Sequence, residues 1–275
     1  MKNITERQLQ ILEHLAEFKY LTTDQVMGLL GNSGRPYILQ LLNGLSDGKR
    51  PLTRFKDLGF YPGAGRLPRM HFLTPYGVNF LVENLDFDPD KVKAPKERTP
   101  LFQRDFFHRV FTIDFNIFVR KFCKKNQLKK VFFDYYFDQI GSQRNSTAKA
   151  KNALTVGDFQ IIPDGIGKIT DGENEKLFLF EQHNGNDSKR AIKQIYSHVE
   201  AIGEGLASEK YDYPKGVRVF YVFENEACAR SVAKRMQEDN NLREHKEFFL
   251  FSTNDLIRKK FDDWYTFDGE KRSFF

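Results

Sequence analysis

The chain has 275 residues, of which 40% are hydrophobic and 29% charged, and its formal net charge is +6. This composition is typical of a soluble globular protein with one large or two ordinary domains. No run of about 18 apolar residues is present, so a transmembrane helix is excluded. The N-terminus lacks the apolar segment of a signal peptide, and two cysteines are too few for a disulfide scaffold or a Cys-rich zinc site. We therefore expect a cytoplasmic protein that does not insert into a membrane.

Three short helices are predicted in the first part of the chain, because apolar residues recur there at helical spacing. They cover residues 5–18, 23–30 and 36–45, and a glycine-containing turn precedes the third. Two strands follow on either side of a flexible tip at residues 61–68, and a further helix comes next. This order resembles that of winged helix-turn-helix DNA-binding domains, and we assign residues 1–85 to such a domain.

Basic side chains are concentrated in the hairpin that would form the wing. Between residues 49 and 69 the only acid is Asp57. A basic, glycine-containing hairpin suits contacts with DNA phosphates and entry into the minor groove. Winged helices also serve as protein-docking modules, which is the alternative function. The candidate DNA-contacting residues are Arg35, Tyr37, Gln40 and Asn43 on the third helix, and Arg54, Lys56, Arg66 and Arg69 on the hairpin.

A linker is predicted at residues 86–100, where Asp, Lys, Pro and Glu occur with almost no apolar pattern. The second domain therefore covers residues 101–275. It begins with a long apolar segment, residues 101–123, whose length favours a helix buried on several sides. His108 lies on this helix, where a hydrogen-bonded structural role competes with a catalytic one.

A basic loop is predicted after the first strand of this domain, residues 131–137. Residues 139–157 include no acid, but they include Arg144, Lys149 and Lys151 among small polar residues. Such a segment suits closure over a polyanion such as DNA. A merely solvated loop is the alternative.

The most informative stretch of the chain holds two acidic residues, each at the end of an apolar run. The first run ends at Asp164, and the second, after a polar turn around residues 171–172, ends at Glu181. Two adjacent strands joined by this turn would bring both carboxylates to the same region of a sheet. Converging carboxylates are the usual oxygen ligands of Mg²⁺ or Mn²⁺. Two solvent-facing acids at strand ends are the alternative.

The remaining elements indicate a mixed sheet. A helix is predicted over residues 188–203, and the uninterrupted apolar run 217–223 is typical of a strand buried on both faces. A helix at 226–237, a strand at 247–252 and a terminal helix follow. Strands joined by short loops can pair antiparallel, and the helical crossover then adds a parallel strand. The second domain is thus predicted as an α/β (α+β) fold.

A family resemblance rests on these elements and their motifs. The order α-β-β-β-α-β, with Pro163 and Asp164 on one strand and Glu181, Gln182 and His183 on the next, resembles the PD-(D/E)XK restriction-endonuclease-like fold. Together with the winged helix, the segments PDG, FLFEQHNGN and SKRAIKQIYSH resemble the replication-relaxation group. This group includes the MobC-type mobilisation relaxases of plasmids and integrative elements.

The resemblance implies a site that holds Mg²⁺ or Mn²⁺. Asp164 and Glu181 would be metal ligands, and the Gln182 carbonyl would be a third oxygen ligand. His183 stands where the family usually has a lysine. A neutral imidazole can orient or deprotonate a water, but it lacks the fixed positive charge of that lysine. Lys193 on the following helix is placed to restore the charge, because related nucleases carry the lysine there. On that helix, Tyr196 is an alternative, covalent nucleophile to a metal-activated water.

The resemblance also implies a function in DNA processing. We expect a metal-dependent relaxase, an endonuclease that nicks double-stranded DNA at a transfer or replication origin during plasmid mobilisation. Single-stranded DNA and other relaxosome proteins would be further partners. One alternative is a catalytically inactive, origin-binding relaxosome accessory protein. Another is a transcriptional regulator with an α/β sensor domain, which would have a ligand pocket in place of the metal site.

Overall fold

A computed structural model describes residues 4–31, 33–89, 92, 94–95, 105–140, 149–157 and 159–275. The chain divides into two compact units, residues 1–114 and 115–275. The division lies inside a helix, whereas the linker predicted at residues 86–100 falls in large part outside the described residues.

The first two helices of the N-terminal unit are capped at their N-termini by threonine side chains. Thr5 and Thr22 each accept a hydrogen bond from the third residue of the helix, and the glutamine at that position bonds back to the threonine backbone. These two capping boxes satisfy backbone N–H groups that a helix start leaves without partners. The elements are α1 (Glu6–Phe18), β1 (Leu21–Thr22), α2 (Thr23–Leu29) and α3 (Arg35–Ser46).

A small antiparallel sheet follows these helices. Its strand order is β1-β5-β2, and a separate two-stranded hairpin, β3–β4, is inserted between its last two strands. Apolar residues of α1, α3 and β5, such as Leu15, Leu42 and Met70, are buried in the core of the unit. The elements are β2 (Thr53–Lys56), β3 (Phe60–Tyr61), β4 (Gly65–Arg66), β5 (Met70–Leu73) and α4 (Pro75–Leu85).

The C-terminal unit is built on a mixed sheet of seven strands. The strand order is β16-β15-β14-β13-β12-β11-β6. β11 pairs antiparallel with β6 and β12, and β13 pairs parallel with β12 and β14. The predicted mixed α/β arrangement is therefore confirmed. The strands are β6 (Lys129–Tyr135), β11 (Gly165–Thr170), β12 (Glu175–His183), β13 (Arg218–Phe223), β14 (Phe249–Thr253), β15 (Trp264–Tyr265) and β16 (Lys271–Arg272).

Helices cover both faces of this sheet. The aromatic ring of Phe115 stacks on that of Phe180 at 3.8 Å between centroids, so α5 covers one face. On the other face, Ile195 and Val232 belong to the same buried cluster as Ile166 and Val219. The helices are α5 (Phe106–Lys125), α6 (Ser188–Gly203), α7 (Leu206–Lys210), α8 (Glu226–Glu238), α9 (Asn240–Glu244) and α10 (Asn254–Lys259), with a 3₁₀ turn at Lys246–Phe248.

Two short hairpins occupy the segment between β6 and β11. Of the basic loop predicted over residues 139–157, the described part includes short paired strands at residues 139–140, 149–150 and 154–156. β10 was expected to carry the chain directly to Asp164, but it pairs with β9 outside the large sheet. The strands are β7 (Gln139–Ile140), β8 (Lys149–Ala150), β9 (Leu154–Val156) and β10 (Phe159–Ile161).

None of the helices within the described ranges has the length and apolar character needed to cross a membrane.

The glycine after Asp164 is required by close packing. A Cβ atom at Gly165 would lie 2.3 Å from the Phe133 ring. We therefore expect Gly165→Ala to lower the free energy of unfolding by about 1–3 kcal/mol, the usual cost of overpacking. Gly203→Ala is the control, because a Cβ there meets nothing within 4 Å and alanine favours a helix. Urea unfolding would measure both; equal stability of the two variants would contradict the prediction.

Candidate functional site

Asp164 and Glu181 lie at the same end of two neighbouring antiparallel strands. Gly165, the first residue of β11, pairs with Phe180 of β12, so Asp164 stands beside Glu181. The sequence suggested that a strand ends at Asp164. In the structure Asp164 instead precedes its strand, and this is why the start of β11 meets the end of β12. Both side chains are almost completely buried, with 8% and 1% of their surfaces exposed.

The backbone of Gln182 completes an oxygen-rich arrangement. The Gln182 N–H donates to Asp164 Oδ2 at 2.7 Å. An extended residue directs its N–H and C=O to the same side of the strand, so the Gln182 carbonyl also faces β11 and Asp164. The next carbonyl, that of His183, accepts from the Glu224 N–H on the opposite side, at 3.0 Å. The Asp164 carboxylate and the Gln182 carbonyl therefore lie on the same side of this strand end, and Glu181 is the neighbouring residue of both.

Ionisation of the Glu181 carboxyl group is unfavourable in its surroundings. Burial raises its pKa well above the ordinary value, and the nearby negative charge of Asp164 raises the pKa further. Two hydrogen-bonding groups of α6 hold it: His198 Nε2 lies 2.6 Å from Oε1, and Gln194 Nε2 donates to Oε2 at 2.5 Å. Both oxygens of Glu181 are thus hydrogen-bonded to α6, and the carboxyl group is also hydrogen-bonded to Asp164.

The histidine beside Glu181 is neutral at physiological pH. His198 is fully buried, and burial lowers its pKa to about 4. A neutral ring that donates from Nε2 to Glu181 has an acceptor at Nδ1, and no described residue bonds to that atom. The hydroxyl of Tyr221 is also buried without a hydrogen-bond partner among the described residues. Burial and the charges of Glu181 and Asp164 raise the pKa of Tyr221 well above its usual range.

His183, where the sequence-based resemblance leads one to expect a lysine, is buried near the two acids. His183 lies two residues after Glu181, so both side chains point to the same face of β12. Burial lowers the pKa of His183, and the positive charge of Arg190 lowers it further. Arg190 is thus a cation near this end of the sheet that the sequence did not single out.

Lys193 and Tyr196 lie on another face of α6. Both are exposed, whereas Gln194 and His198 contact Glu181. Successive helix residues are rotated by about 100°, so Lys193 points well away from the face that meets Glu181. The Tyr196 hydroxyl donates to Asp239, and this bond raises the pKa of Tyr196.

His108 is partly buried in the N-terminal unit, and its carbonyl accepts from the Thr112 hydroxyl at 2.9 Å. Asp164, Glu181 and their contacting residues all belong to the C-terminal unit. The structure therefore does not gather His108 with them in one unit.

The predicted recognition helix presents its polar residues to solvent. Tyr37, Gln40 and Asn43 are exposed on α3, while Ile38 and Leu42 of the same helix are buried. Arg35 is exposed as well and forms an ion pair with Asp24 of α2.

The basic residues of the hairpin region are exposed too. Arg54 and Lys56 lie on β2. Arg66 donates to Asp57 at 2.5 Å, and Arg69 lies 3.8 Å from the same carboxylate. The Arg69 guanidinium also covers the Phe55 ring, 4.3 Å from its centroid.

The predicted basic loop is only partly described. Lys149 is exposed on β8, and Lys151 pairs with the buried Asp134 at 2.7 Å. Arg144 lies outside the described residues.

Sequence reasoning missed the residues of α6 that touch Glu181. Gln194 and His198 are spaced i, i+4, which places them on one face of the helix. The buried Ala191 and Ile195 mark that face as the one toward the sheet. Two polar residues on the otherwise apolar face of α6 that packs on the sheet were the signal in the sequence that could have identified them.

The donor set suits a small, hard cation. No group of three or more His, Cys, Asp or Glu side chains that could hold a metal ion occurs among the described residues. Mg²⁺ is commonly bound through one or two carboxylates and keeps several waters. Asp164, Glu181 and the Gln182 carbonyl match that pattern, although Glu181 also carries its two α6 hydrogen bonds.

Among the cavities lined by described residues, three lie away from the two acids. One of about 480 Å³ is lined by Arg50, Tyr76 and neighbours, and one of about 230 Å³ by Lys49, Phe72 and neighbours. A third, of about 420 Å³, lies at the opposite end of β12 and is lined by residues including Lys176 and Arg218. Asp164 and Glu181 line none of these three.

Comparisons of the chain with protein-family models, with curated proteins and with solved structures found no match.

The raised pKa of Glu181 makes stability depend on pH. The folded state holds this proton more tightly than the unfolded state, so stability falls as pH rises above the unfolded pKa and towards the folded one. We expect Glu181→Gln to remove this part of the decline, because an amide carries no charge. Melting temperatures between pH 5 and 8 in a chelator would measure it. Glu200→Gln, at an exposed position of α6, should keep the wild-type slope; a parallel slope for Glu181→Gln would contradict the assignment.

Proposed function

We propose that this chain is a DNA-binding protein of plasmid or mobile-element mobilisation, and that its C-terminal unit cleaves a phosphodiester bond with Mg²⁺ or Mn²⁺. The observation that carries the proposal is the convergence of Asp164, Glu181 and the Gln182 carbonyl at one strand end. Two carboxylates with a backbone oxygen are a ligand set for a cation that acts on phosphate.

The topology of the C-terminal unit supports this proposal. Three antiparallel strands, β6, β11 and β12, follow α5, and α6 then crosses to the parallel strand β13. This order resembles the PD-(D/E)XK fold, in which the two acids stand on the second and third strands. The N-terminal unit has helices α1 to α3 and a small sheet with an inserted basic hairpin, an order that resembles a winged helix. Its exposed cations suit DNA phosphates.

The chain's own residues have distinct tasks in such a reaction. Asp164, Glu181 and the Gln182 carbonyl would hold the cation, which supplies Lewis acidity toward a phosphodiester oxygen and toward the attacking water. His198 and Gln194 orient the Glu181 carboxylate. His183, kept neutral by its lowered pKa, can accept a proton from the attacking water. Arg190 supplies the fixed positive charge that the family's lysine would carry.

A water nucleophile is favoured over Tyr196. The tyrosine hydroxyl donates to Asp239, and its raised pKa disfavours the tyrosinate needed for attack. Its exposed position on α6 also differs from the face that meets Glu181.

A second candidate function is DNA binding without cleavage, as in an accessory protein of a relaxosome. The burial of Glu181 and its two hydrogen bonds to α6 favour this candidate, because they satisfy the carboxylate without a cation. A buried carboxylate that is already hydrogen-bonded by the protein is what we expect at a site with a structural role only.

Nicking of supercoiled plasmid DNA separates the two candidates. With Mn²⁺ and DNA carrying the origin of the source element, the wild type should convert supercoiled plasmid to open circles. Asp164→Asn and Glu181→Gln should each lower the rate at least about 100-fold, because each removes a ligand charge. Glu173→Gln changes an exposed acid of the same hairpin and should nick at the wild-type rate. DNA binding without nicking by the wild type would establish the accessory function instead.

Metal binding has a readout that does not depend on activity. A ligand that binds only the folded state raises the melting temperature. We expect Mn²⁺ at millimolar concentration to raise the melting temperature of the wild type and of Glu173→Gln. The melting temperature of Asp164→Asn should not change. An equal shift for Asp164→Asn would place the cation elsewhere.

A further inference from the structure

The most exposed large apolar side chain of the described residues lies on the basic hairpin. Phe60 exposes 71% of its surface, more than any other such side chain described. It lies on β3, where it pairs with Arg66 of β4. A phenylalanine exposed to this degree is hydrated at a cost in free energy, and that cost is recovered when an apolar surface covers the ring.

The hairpin is anchored so that it presents Phe60 outward. Tyr61 follows Phe60 and therefore points to the other side of the strand. Its ring packs edge-on against Phe107 at 5.5 Å between centroids. The Leu67 N–H donates to the Gly59 carbonyl at 2.9 Å, which closes the base of the hairpin. Gly59 has a φ of +72°, a left-handed conformation that suits glycine.

One carboxylate ties the hairpin to its basic residues. Asp57 accepts from the Gly59 N–H at 3.0 Å and from Arg66 at 2.5 Å, and Arg69 lies 3.8 Å away. These contacts lower the pKa of Asp57, the Gly59 N–H most of all. The arginines remain largely exposed, with 59% of the Arg66 side chain and 45% of the Arg69 side chain accessible.

The surroundings of Phe60 determine which apolar surface it fits. Arg54, Lys56, Arg66 and Arg69 are all exposed on the same β2–β5 segment as Phe60, and the acid of the segment, Asp57, is already bonded. A partner for this surface must be strongly anionic outside and apolar and planar inside. Duplex DNA has both properties, because its phosphates surround a stack of bases.

We propose that Phe60 is a wedge that inserts between adjacent base pairs from the minor groove, while Arg66 and Arg69 contact the flanking phosphates. Apolar wedges of this kind partly unstack a base step and kink and unwind the duplex. This inference rests on the proposed DNA binding. It adds that the N-terminal unit deforms its DNA and does not merely dock on it. At an origin, a locally unstacked step would ease the exposure of a single strand.

Unwinding of closed-circular plasmid tests the wedge with the full chain. Relaxed plasmid is treated, in EDTA to prevent nicking by the chain itself, with a metal-independent topoisomerase I at saturating protein, and the topoisomers are resolved after the protein is removed. Binding to a 30-bp mixed-sequence duplex is measured in parallel by electrophoretic mobility shift. The variants are Phe60→Ala, Phe60→Leu, which keeps an apolar wedge, and Tyr76→Ala, which removes another exposed aromatic ring, on α4.

We expect the wild type, Phe60→Leu and Tyr76→Ala to shift the topoisomer distribution, and Phe60→Ala to leave it unshifted. Phe60→Ala should still bind, about 5- to 100-fold more weakly, because only a stacking contact is removed. Equal topoisomer shifts for Phe60→Ala and the wild type would overturn the wedge and leave the DNA-binding proposal intact. Failure of the wild type to bind duplex DNA would instead overturn the proposed function.

Discussion

The arrangement of the C-terminal unit depends on one buried carboxylate. Glu181 stands beside Asp164 in a place that excludes water, and both desolvation and like-charge repulsion oppose its ionisation. Such a group persists only where its surroundings supply hydrogen bonds. Gln194 and His198 supply them from α6, so the docking of this helix on the sheet and the state of the carboxylate are coupled.

The sheet gives this coupling its rigidity. Its central strands are buried on both faces, by the Phe115 side of α5 and by the cluster that includes Ile195 and Val232. Close packing of this kind resists small displacements. A rigid frame favours a preorganised ligand site, because oxygens held in place need no rearrangement to meet a cation. The same close packing limits the access of solvent and ions to Glu181, which is only 1% exposed.

The sequence predicted the large elements well, because hydrophobic period, caps and turn residues act locally. The capping box at Thr5, helix α6 and the doubly buried β13 all carry such local signals. Which face of α6 packs on the sheet depends on contacts between residues far apart in the sequence. The sequence therefore suggested Lys193 for the site, whereas in the structure Gln194 contacts Glu181. The strands β15 and β16 escaped prediction because two residues each give no period. The start of β11 was misplaced because the apolar run before Asp164 belongs to another hairpin.

The use of a backbone oxygen in the proposed site has a consequence for amino-acid substitution. A side-chain ligand is lost by a single substitution, whereas a main-chain carbonyl persists whatever residue occupies the position. Its direction depends on strand register alone, since neighbouring carbonyls of β12 point to opposite sides. In the proposed cation site, substitution of Gln182 would therefore leave this oxygen in place, whereas insertion or deletion of one residue within the hairpin would turn the carbonyl to the other side of the strand.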